Sequence, residues 1–259
     1  MTPELSQLPT ILADLPTGQL FVLTDSHTVV HCLPILADSI GQIPYHLLTI
    51  EAGEQSKNLA SVQLVWDFLL KHHATREAVL INLGGGMITD LGGFAAATYM
   101  RGIRFLNIPT TLLAMVDASS GGKTGVDFNQ YKNMVGAFYM PRLVYTNVST
   151  LKTLDDRQYY SGMAEVMKYG LIKNAKFYEW ILDSMYEIHE RDLETLEEMV
   201  LKSCTFKKLV VEKDPTEKGE RAILNFGHTI GHAIEKAMNF ELLHGECVAL
   251  GSVAAAYIS

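Results

Sequence analysis

Three histidines stand close together near the C-terminal end of the sequence. His228 and His232 are four residues apart, so on an α-helix their imidazoles lie on the same face. His244 follows where Gly245 and Glu246 interrupt the pattern, so a third imidazole can return to the same point after a turn. A catalytic zinc ion takes three nitrogen or oxygen ligands from the protein and keeps one position open. The spacing therefore predicts three candidate nitrogen ligands for one divalent ion.

An acidic residue in an apolar helical run is the best candidate for an oxygen ligand. Glu165 lies in SGMAEVMKYG, and Lys168 follows three residues later on the same helical face. The alternative is that these groups are partly buried polar residues that cap or bridge helices. The joint presence of a His-x-x-x-His pair, a third histidine and this glutamate favours a metal site.

Composition limits the class of protein. The 259 residues are 48% hydrophobic and 19% charged, and they contain no apolar run of about 18 residues that could span a bilayer. The N-terminus has no basic residue and no unbroken apolar core, so no signal peptide is expected. The cysteines, at positions 32, 204 and 247, form no Cys-x-x-Cys pair, which fits a reducing cytoplasm.

The charge distribution suggests the type of ligand. A net charge of −8 argues against general binding to nucleic acids or anionic membranes. Six basic residues nevertheless lie inside motif-like segments, and this pattern predicts an anionic small molecule. These residues are Arg101, Lys123, Lys132, Lys168, Lys207 and Arg221.

The order of hydrophobic patterns divides the chain into two domains. Short apolar runs at 19–24, 45–50, 78–83 and 103–111 predict buried parallel strands, and 58–73 predicts a helix capped by Asn58. From Asp155 onward the pattern predicts helices only, near 155–172, 175–187, 192–213, 219–238 and 244–259. We therefore predict an α/β domain over residues 1–154 and an all-α domain over 155–259.

A glycine turn follows the third predicted strand. Gly84, Gly85 and Gly86 precede a helix expected to begin near Asp90, so backbone amides could approach a pyrophosphate. The turn lacks the Gly-x-Gly-x-x-Gly fingerprint, so a packing turn is an equal alternative. Asp25 ends the first strand and could hold ribose hydroxyls, or serve as a turn or cap residue.

The segment after the fourth strand combines hydroxyls, glycines and cations. Thr110 and Thr111 end the strand, and a helical start then leads into a glycine-rich loop. Flexible glycines beside lysines suit a phosphorylated ligand. The stretch before Gly122, Lys123 and Thr124 lacks the spaced glycine of the Walker pattern, which argues against a nucleotide triphosphatase. The loop carries Asp117, Lys123, Lys132 and Asn133.

A dinucleotide and a metal at a cleft between two domains would define an enzyme that acts on the hydrogen of a hydroxyl group. At this point several motifs together resemble the 3-dehydroquinate synthase family of the shikimate pathway. They are LGGGMITDLGGF, RGIRFLNIPTTLLAMVDASSGGKTG, KNMVGAF, SGMAEVMKYG, RAILNFGHTIGHAIE and LLHGE, in that order from about residue 52 to the C-terminus.

The resemblance implies a Rossmann-like NAD-binding domain followed by a helical metal-binding domain. It implies a cytoplasmic carbon-oxygen lyase that uses NAD+ and Zn2+, with Co2+ possible, on an anionic sugar phosphate. The implied metal ligands are Glu165, His228 and His244, with His232 beside the substrate phosphate. Arg101 would reach the substrate of a neighbouring subunit, which implies a homodimer.

The same resemblance implies the remaining contacts. The substrate would be surrounded by Lys123, Lys132, Asn133, Lys168, Lys207, Arg221 and Asn225. The cofactor would be contacted by Asp25, Glu54, Lys57, Gly84, Gly85, Gly86, Asp90, Thr110, Thr111, Asp117, Lys123, Lys132, Thr150, Leu151, Lys152 and Thr153.

The sequence departs from the family pattern at Thr89, Asp127, Tyr131 and Pro215, and it stops at Ser259 within an expected helix, which suggests a truncated chain. Three alternatives stay open. The first is an NAD- and metal-dependent polyol dehydrogenase, which needs no phosphate pocket. The second is another sugar-phosphate cyclase, whose substrate lacks a carboxylate for Lys207 and Arg221. The third is a non-catalytic NAD-binding or zinc-stabilised interaction protein, which predicts a closed four-ligand metal site and no turnover.

Overall fold

The computed structural model describes residues 8–14, 19–129, 131–239 and 241–259. They form two compact units. The first unit contains the described residues up to Thr110 together with Ala118–Thr150, and the second contains Thr111–Asp117 together with Leu151–Ser259. Residues 1–7, where no signal peptide is expected, lie outside the described residues.

A five-stranded parallel sheet organises the first unit. The strand order is β2-β1-β3-β4-β7, and every neighbouring pair is parallel. The strands are β1 (Leu20–Asp25), β2 (His46–Ile50), β3 (Val79–Gly84), β4 (Arg104–Pro109) and β7 (Leu143–Val144). The helices are α1 (Leu8–Asp14), α2 (Thr28–His31), α3 (Leu33–Ile40), α4 (Leu59–Lys71) and α5 (Gly86–Thr98).

Apolar residues on both faces of the strands form the core of this unit. Phe21 and Leu23 of β1 face one hydrophobic cluster, which includes residues of α4 and α5. Leu20 and Val22 of the same strand face a second cluster, which includes residues of α1 and α3. Because alternate side chains point to opposite faces, a strand covered on both sides reads as a continuous apolar run.

An antiparallel hairpin occupies the stretch that the sequence analysis assigned to a glycine-rich loop. Its strands are β5 (Lys123–Phe128) and β6 (Tyr131–Phe138). Gly125 and Gly136 stand opposite each other in the ladder, so these glycines allow close approach of two backbones. The expectation of a loop was therefore wrong for this stretch, because glycine in a strand interior resembles loop composition.

Helices form most of the second unit. They are α6 (Asp156–Lys173), α7 (Ala175–Asp183), α8 (Met185–His189), α9 (Leu193–Lys213), α10 (His228–Ala237) and α11 (His244–Ile258). The helix predicted over 219–238 is divided at Gly227, whose φ of 76° is left-handed, into a 3-10 turn (Glu220–Asn225) and α10. Among the described helices, none is long and apolar enough to cross a membrane.

Helix ends follow the local capping rules. Asn58 caps α4 through a hydrogen bond from the Ser61 amide, as predicted. The Asp155 carboxylate accepts hydrogen bonds from the Arg157 and Gln158 amides at the start of α6. The helix after the glycine turn begins at Gly86, earlier than the expected start near Asp90, because three glycines obscure its first turn.

Candidate active site

A carboxylate and two imidazoles meet in the second unit. Glu165 lies within α6, His228 is the first residue of α10, and His244 is the first residue of α11. Glu165 Oε1 is 3.4 Å from His228 Nε2 and 3.8 Å from His244 Nε2. Ligand atoms around one tetrahedral zinc stand roughly 3.3 Å apart for bonds of about 2 Å. The three groups can therefore hold one divalent ion.

Hydrogen bonds orient both imidazoles of this cluster. His228 Nδ1 lies 3.1 Å from the carbonyl oxygen of Phe226, and His244 Nδ1 lies 3.1 Å from Glu235 Oε1. A proton on each Nδ1 leaves the lone pair of Nε2 on the side of Glu165. Burial lowers the pKa of His228, which favours the neutral imidazole that a metal requires.

His232 is placed differently from the other two histidines. Its ring centroid is 5.5 Å from that of His228 and 5.6 Å from that of His244, so the three rings form a compact triangle. Its Nδ1, however, lies 2.8 Å from Glu235 Oε2, and the imidazole is half exposed. Spacing alone left His232 open as a ligand. The resemblance instead assigns it to a substrate phosphate.

Buried lysines surround the acidic groups of this unit. Lys168 is ion-paired with Glu165, and both side chains are buried. Burial works against the charge of Lys168, but Glu165 and Asp117 outweigh it and keep the pKa of the ammonium above its ordinary value. Lys207 lies 2.6 Å from Asp117 Oδ1 and also bonds the Asp117 carbonyl. These side chains supply two fixed cations.

Asp117 is held by three neighbours. Tyr169 donates a hydrogen bond of 3.1 Å to Asp117 Oδ1 and one of 2.9 Å to the Val116 carbonyl. Burial alone would raise the pKa of Asp117, yet Lys207 and then Lys168 hold it well below its usual range. Asp117, proposed from sequence as a cofactor contact, therefore also positions a predicted substrate lysine.

Arg221 and Asn225 lie on the 3-10 turn before α10. Arg221 is buried, and its guanidinium donates a hydrogen bond of 2.6 Å to the carbonyl of Pro215. Asn225 donates a hydrogen bond of 2.8 Å to Glu217. Because a backbone carbonyl accepts this bond, Pro215, a departure from the family pattern, is compatible with Arg221.

A second group of predicted residues meets in the first unit around Lys57. The buried ammonium of Lys57 lies 2.6 Å from Asp90 and 2.7 Å from the amide oxygen of Asn133. Glu54 is 3.9 Å from Lys57 and 3.8 Å from Lys132. The structure thus joins residues of α5 and of the β5–β6 hairpin at one buried cation.

The β5–β6 hairpin, which carries Lys132, contains two departures from the family pattern. Asp127 accepts a hydrogen bond of 2.8 Å from the amide of Asn133, whose φ of 53° is left-handed. Tyr131 begins β6 opposite Phe128, and its side chain is exposed. Asp127 therefore supports the backbone turn that presents Lys132 and Asn133.

The glycine turn lies at the end of β3, where α5 begins. Gly85 precedes the first residue of α5, and a Cβ at Gly84 would come within 2.6 Å of Ile88. Thr89, a further departure, donates a hydrogen bond to the Gly86 carbonyl. Backbone amides at this helix start are oriented as an anion-binding site requires.

The strand ends beside this turn carry other predicted contacts. Asp25 Oδ1 accepts hydrogen bonds of 2.9 Å from the amides of His27 and Thr28, which is the arrangement of a turn residue. Thr110 is buried and its amide bonds the Gly84 carbonyl. In the second unit, Thr111 accepts a hydrogen bond from the Ala114 amide.

Lys123 and Arg101 are more exposed than the other predicted cations. Lys123 is the first residue of β5 and its side chain is exposed. Arg101 lies in the turn after α5, is exposed and has a left-handed φ of 70°. Their assignment to the substrate stays a prediction.

Two positioning side chains were missed in the sequence. Glu235 is buried and bonds two histidines, and its position seven residues after His228 was the available signal. Arg191 donates hydrogen bonds of 2.7 Å to the Leu151 carbonyl and 2.8 Å to the Leu154 carbonyl. No local pattern indicates Arg191, because its partners lie far away in the sequence.

The cysteines carry no catalytic signature. Burial raises the pKa of the Cys32 thiol to about 11 and also raises that of Cys204. Cys247 is buried. A thiol with a raised pKa is a poor nucleophile, so Cys32 and Cys204 act in packing.

Solved structures of the same fold define the class. One is 2-deoxy-scyllo-inosose synthase complexed with carbaglucose-6-phosphate, NAD+ and Co2+, with a TM-score of 0.86 and 31% identity over 95% of this chain and 68% of that chain. Another is 2-epi-5-epi-valiolone synthase from Streptomyces hygroscopicus with NAD+ and Zn2+ bound. Its TM-score is 0.89 and its sequence identity 29%, over 97% of this chain and 71% of that chain. Fold and site place the chain in the structural class of these synthases.

The family follows from sequence. Residues 47–161 match the family model of the 3-dehydroquinate synthase N-terminal domain, and residues 162–259 match that of the C-terminal domain. The chain belongs to the 3-dehydroquinate synthase family. The synthase of Acetivibrio thermocellus is 49% identical over 92% of this chain and 67% of its own length. The synthase of Symbiobacterium thermophilum is 50% identical over 82% of this chain and 59% of its own length. The chain therefore spans about two thirds or less of the length of these relatives.

Proposed function

We propose that this chain acts as a 3-dehydroquinate synthase. The substrate would be 3-deoxy-D-arabino-heptulosonate 7-phosphate, and the products 3-dehydroquinate and phosphate. The proposed sequence is transient oxidation of one hydroxyl, β-elimination of phosphate, re-reduction and intramolecular aldol closure. The observation that carries the proposal is the cluster of Glu165, His228 and His244 beside the buried ammonium of Lys168.

The residues present fit a divalent metal. Glu165 Oε1 is buried and has no hydrogen-bond donor among the described residues, while two imidazole Nε2 atoms lie nearest to it. One carboxylate oxygen and two imidazole nitrogens form a donor set that zinc accepts readily, and cobalt also takes these ligands. We assign the metal to Glu165, His228 and His244.

The first unit fits a dinucleotide. The glycine turn carries no side chains, and the start of α5 offers backbone amides to a pyrophosphate. When bound, NAD+ would take up and return a hydride, and the metal would polarise the reacting hydroxyl oxygen. Among the contacts assigned from sequence, Lys57 would hold Asp90 in place for this cofactor.

The cations of the chain would bind the two anionic groups of the substrate. Lys207 and Arg221 are the proposed carboxylate partners, and both are buried, so the surroundings strengthen their attraction to an anion. Lys168 would keep its ammonium proton beside the reacting oxygens. His232 would contact the phosphate, and Arg101 would do so from the neighbouring subunit of a homodimer.

The test follows phosphate release and NADH absorbance in one reaction containing the protein, Zn2+, NAD+ and the heptulosonate phosphate. Phosphate release without net accumulation of NADH is expected, because the hydride returns to the substrate. Steady NADH formation from a neutral polyol without phosphate would instead identify a dehydrogenase. Glu165→Gln, which keeps the shape of the ligand but removes its charge, should abolish phosphate release.

A different cyclase activity is the second candidate, because the solved inosose and valiolone synthases share the fold at about 30% identity. With such an activity, this chain would act on a sugar phosphate that has no carboxylate. Comparing the heptulosonate phosphate with a hexose phosphate separates the two. Turnover of the hexose phosphate alone would contradict the proposed function, whereas loss of heptulosonate turnover in Arg221→Met would support it.

A further inference from the structure

Glu235 connects two of the three histidines. It lies on α10 seven residues after His228 and three after His232, so all three face the same side of the helix. Its side chain is 2% exposed. Oε1 lies 3.1 Å from His244 Nδ1, and Oε2 lies 2.8 Å from His232 Nδ1. One buried carboxylate therefore spans two imidazoles.

The hydrogen-bonding capacity of a carboxylate fixes the state of both rings. An ionised carboxylate only accepts hydrogen bonds, so each Nδ1 that faces Glu235 must carry the proton. In the neutral imidazole the other nitrogen then keeps its lone pair. For His244 this nitrogen is Nε2, which lies 3.8 Å from Glu165 Oε1. Glu235 thus selects the tautomer in which His244 can donate to a metal.

We propose that Glu235 is the positioning residue of this site: it orients His244 for the metal and holds His232 in the same arrangement through its second oxygen. The inference rests on the metal site proposed above. Its consequence is that the metal ligand His244 and the substrate-side His232 depend on one carboxylate. A carboxylate behind a metal-binding imidazole raises the basicity of that ligand and fixes its orientation.

A second arrangement uses the same atoms. Ligand atoms of His232, Glu235 and His244 also lie within 4.8 Å of one another and could hold an ion of their own. The positioning role is favoured because distances of 2.8 and 3.1 Å between nitrogen and oxygen are those of direct hydrogen bonds. Glu235 as a metal ligand is therefore an outcome that the experiment must be able to detect.

The side-chain chemistry of glutamine provides a graded test. In Glu235→Gln, the new side chain keeps one carbonyl oxygen as an acceptor, but its amide nitrogen donates and cannot accept from the second Nδ1. This variant should therefore release one of the two imidazoles, and Glu235→Ala should release both. The matched control is Glu212→Gln, which affects an exposed ion pair with Lys208 on α9.

The first measurement is zinc affinity by chelator competition, together with the visible absorption spectrum of the Co2+-loaded protein. Wild type should bind one ion per chain. We expect affinity to fall about tenfold in Glu235→Gln and about a hundredfold in Glu235→Ala, with an altered cobalt spectrum. Glu212→Gln should match wild type. Unchanged affinity and spectrum in both Glu235 variants would overturn the proposal, and so would two ions in wild type and one in Glu235→Gln.

The second measurement uses the metal-free protein and does not depend on activity. Nitrogen-proton correlation spectra of the histidines report which ring nitrogen carries the proton. His244 and His232 should both show a proton on Nδ1 in wild type, and one of them should lose this preference in Glu235→Gln. If wild type binds no metal, the proposed function fails while these spectra still test Glu235. If wild type binds metal but His244 carries its proton on Nε2, the inference alone fails.

Discussion

The two units each bury a lysine beside carboxylates, but the two clusters are bonded differently. In the first unit, the Lys57 ammonium makes contacts of 2.6 Å to Asp90 and 2.7 Å to Asn133. In the second, Glu165 is paired with Lys168 on one oxygen, while its other oxygen has imidazole nitrogens at 3.4 and 3.8 Å. In the first cluster, Asp90 and Asn133 thus both contact the central cation at hydrogen-bond length, whereas in the second the imidazole nitrogens stand farther from Glu165.

This difference separates positioning from ligand chemistry. Burial works against the charge of Lys57, but Asp90 and then Glu54 outweigh it and keep its pKa above the ordinary value, so the cation holds α5 to the hairpin. At Glu165 the nitrogens stand beyond ordinary hydrogen-bond length, at separations that suit ligands of one ion. A metal should therefore affect the second cluster and leave the first unchanged.

The largest expected effect tests this contrast directly. Lys168→Met should lower the free energy of unfolding by about 3 to 5 kcal/mol, because it leaves the buried Glu165 without its cation. Lys57→Met should lower it by a smaller amount, because Asp90 is only partly buried. Saturating zinc should restore stability to Lys168→Met, since the ion replaces the missing positive charge beside Glu165. Urea unfolding with and without zinc measures both variants. Equal recovery of the two variants would contradict the comparison.

The ion pair between Lys207 and Asp117 should show a distinctive pH dependence. Lys207→Met should cost about 2 to 4 kcal/mol at pH 7. The pKa of Asp117 is lowered in the folded protein, so its contribution is present above the unfolded value of about 4 and is lost as the pH falls below it. The difference in the free energy of unfolding between wild type and Lys207→Met should therefore become smaller below pH 4.

The neighbouring Lys208→Met provides the control for that measurement. Lys208 forms an exposed pair with Glu212 at 3.7 Å, which contributes less than about 0.5 kcal/mol. Unfolding curves from pH 7 to pH 2.5 should show a small and nearly constant difference for this variant. A gap for Lys207→Met that stays constant over this range would exclude Asp117 as the titrating partner.

Arg191→Lys should have a moderate effect on a segment assigned to the cofactor. One guanidinium nitrogen donates to the Leu151 and Leu154 carbonyls while the other pairs with Asp156, and a lysine cannot reproduce this fork, so stability should fall by about 1 to 2 kcal/mol. NAD+ affinity should weaken as well, because Leu151, whose carbonyl Arg191 bonds, lies within the segment Thr150–Thr153 that is assigned to the cofactor. Calorimetric titration with NAD+ measures it. Arg157→Lys, at an exposed pair with Glu246, should leave NAD+ binding unchanged.

The smallest expected effect concerns Asp127, whose pKa is raised in the folded protein, whereas that of Asp117 is lowered. Burial raises the pKa of Asp127, so the charged form is disfavoured and stability is lost as the pH rises through the folded value. Asp127→Asn keeps an acceptor for the Asn133 amide and should gain up to about 0.5 kcal/mol at pH 7. Thermal unfolding at pH 7 and pH 4 should show this gain only at pH 7.

Local features of the fold were predictable from the sequence. The strands at 19–24, 45–50 and 78–83 and the Asn58 cap depend on nearby residues, and the structure confirms them. The β5–β6 hairpin was missed because its glycines pair across strands, which no local pattern shows. The division at Gly227 was missed because a left-handed glycine within an apolar stretch resembles helix.

The sequence by itself determined that His228 and His232 share a helical face, because a spacing of four residues has one geometry on a helix. It also determined which motifs occur together, and hence the family. Only the tertiary structure decided that Glu235 contacts both His232 and His244, and that Lys207 meets Asp117 across 90 residues. Helix periodicity fixes neighbours within a turn or two, whereas contacts between elements depend on how those elements pack.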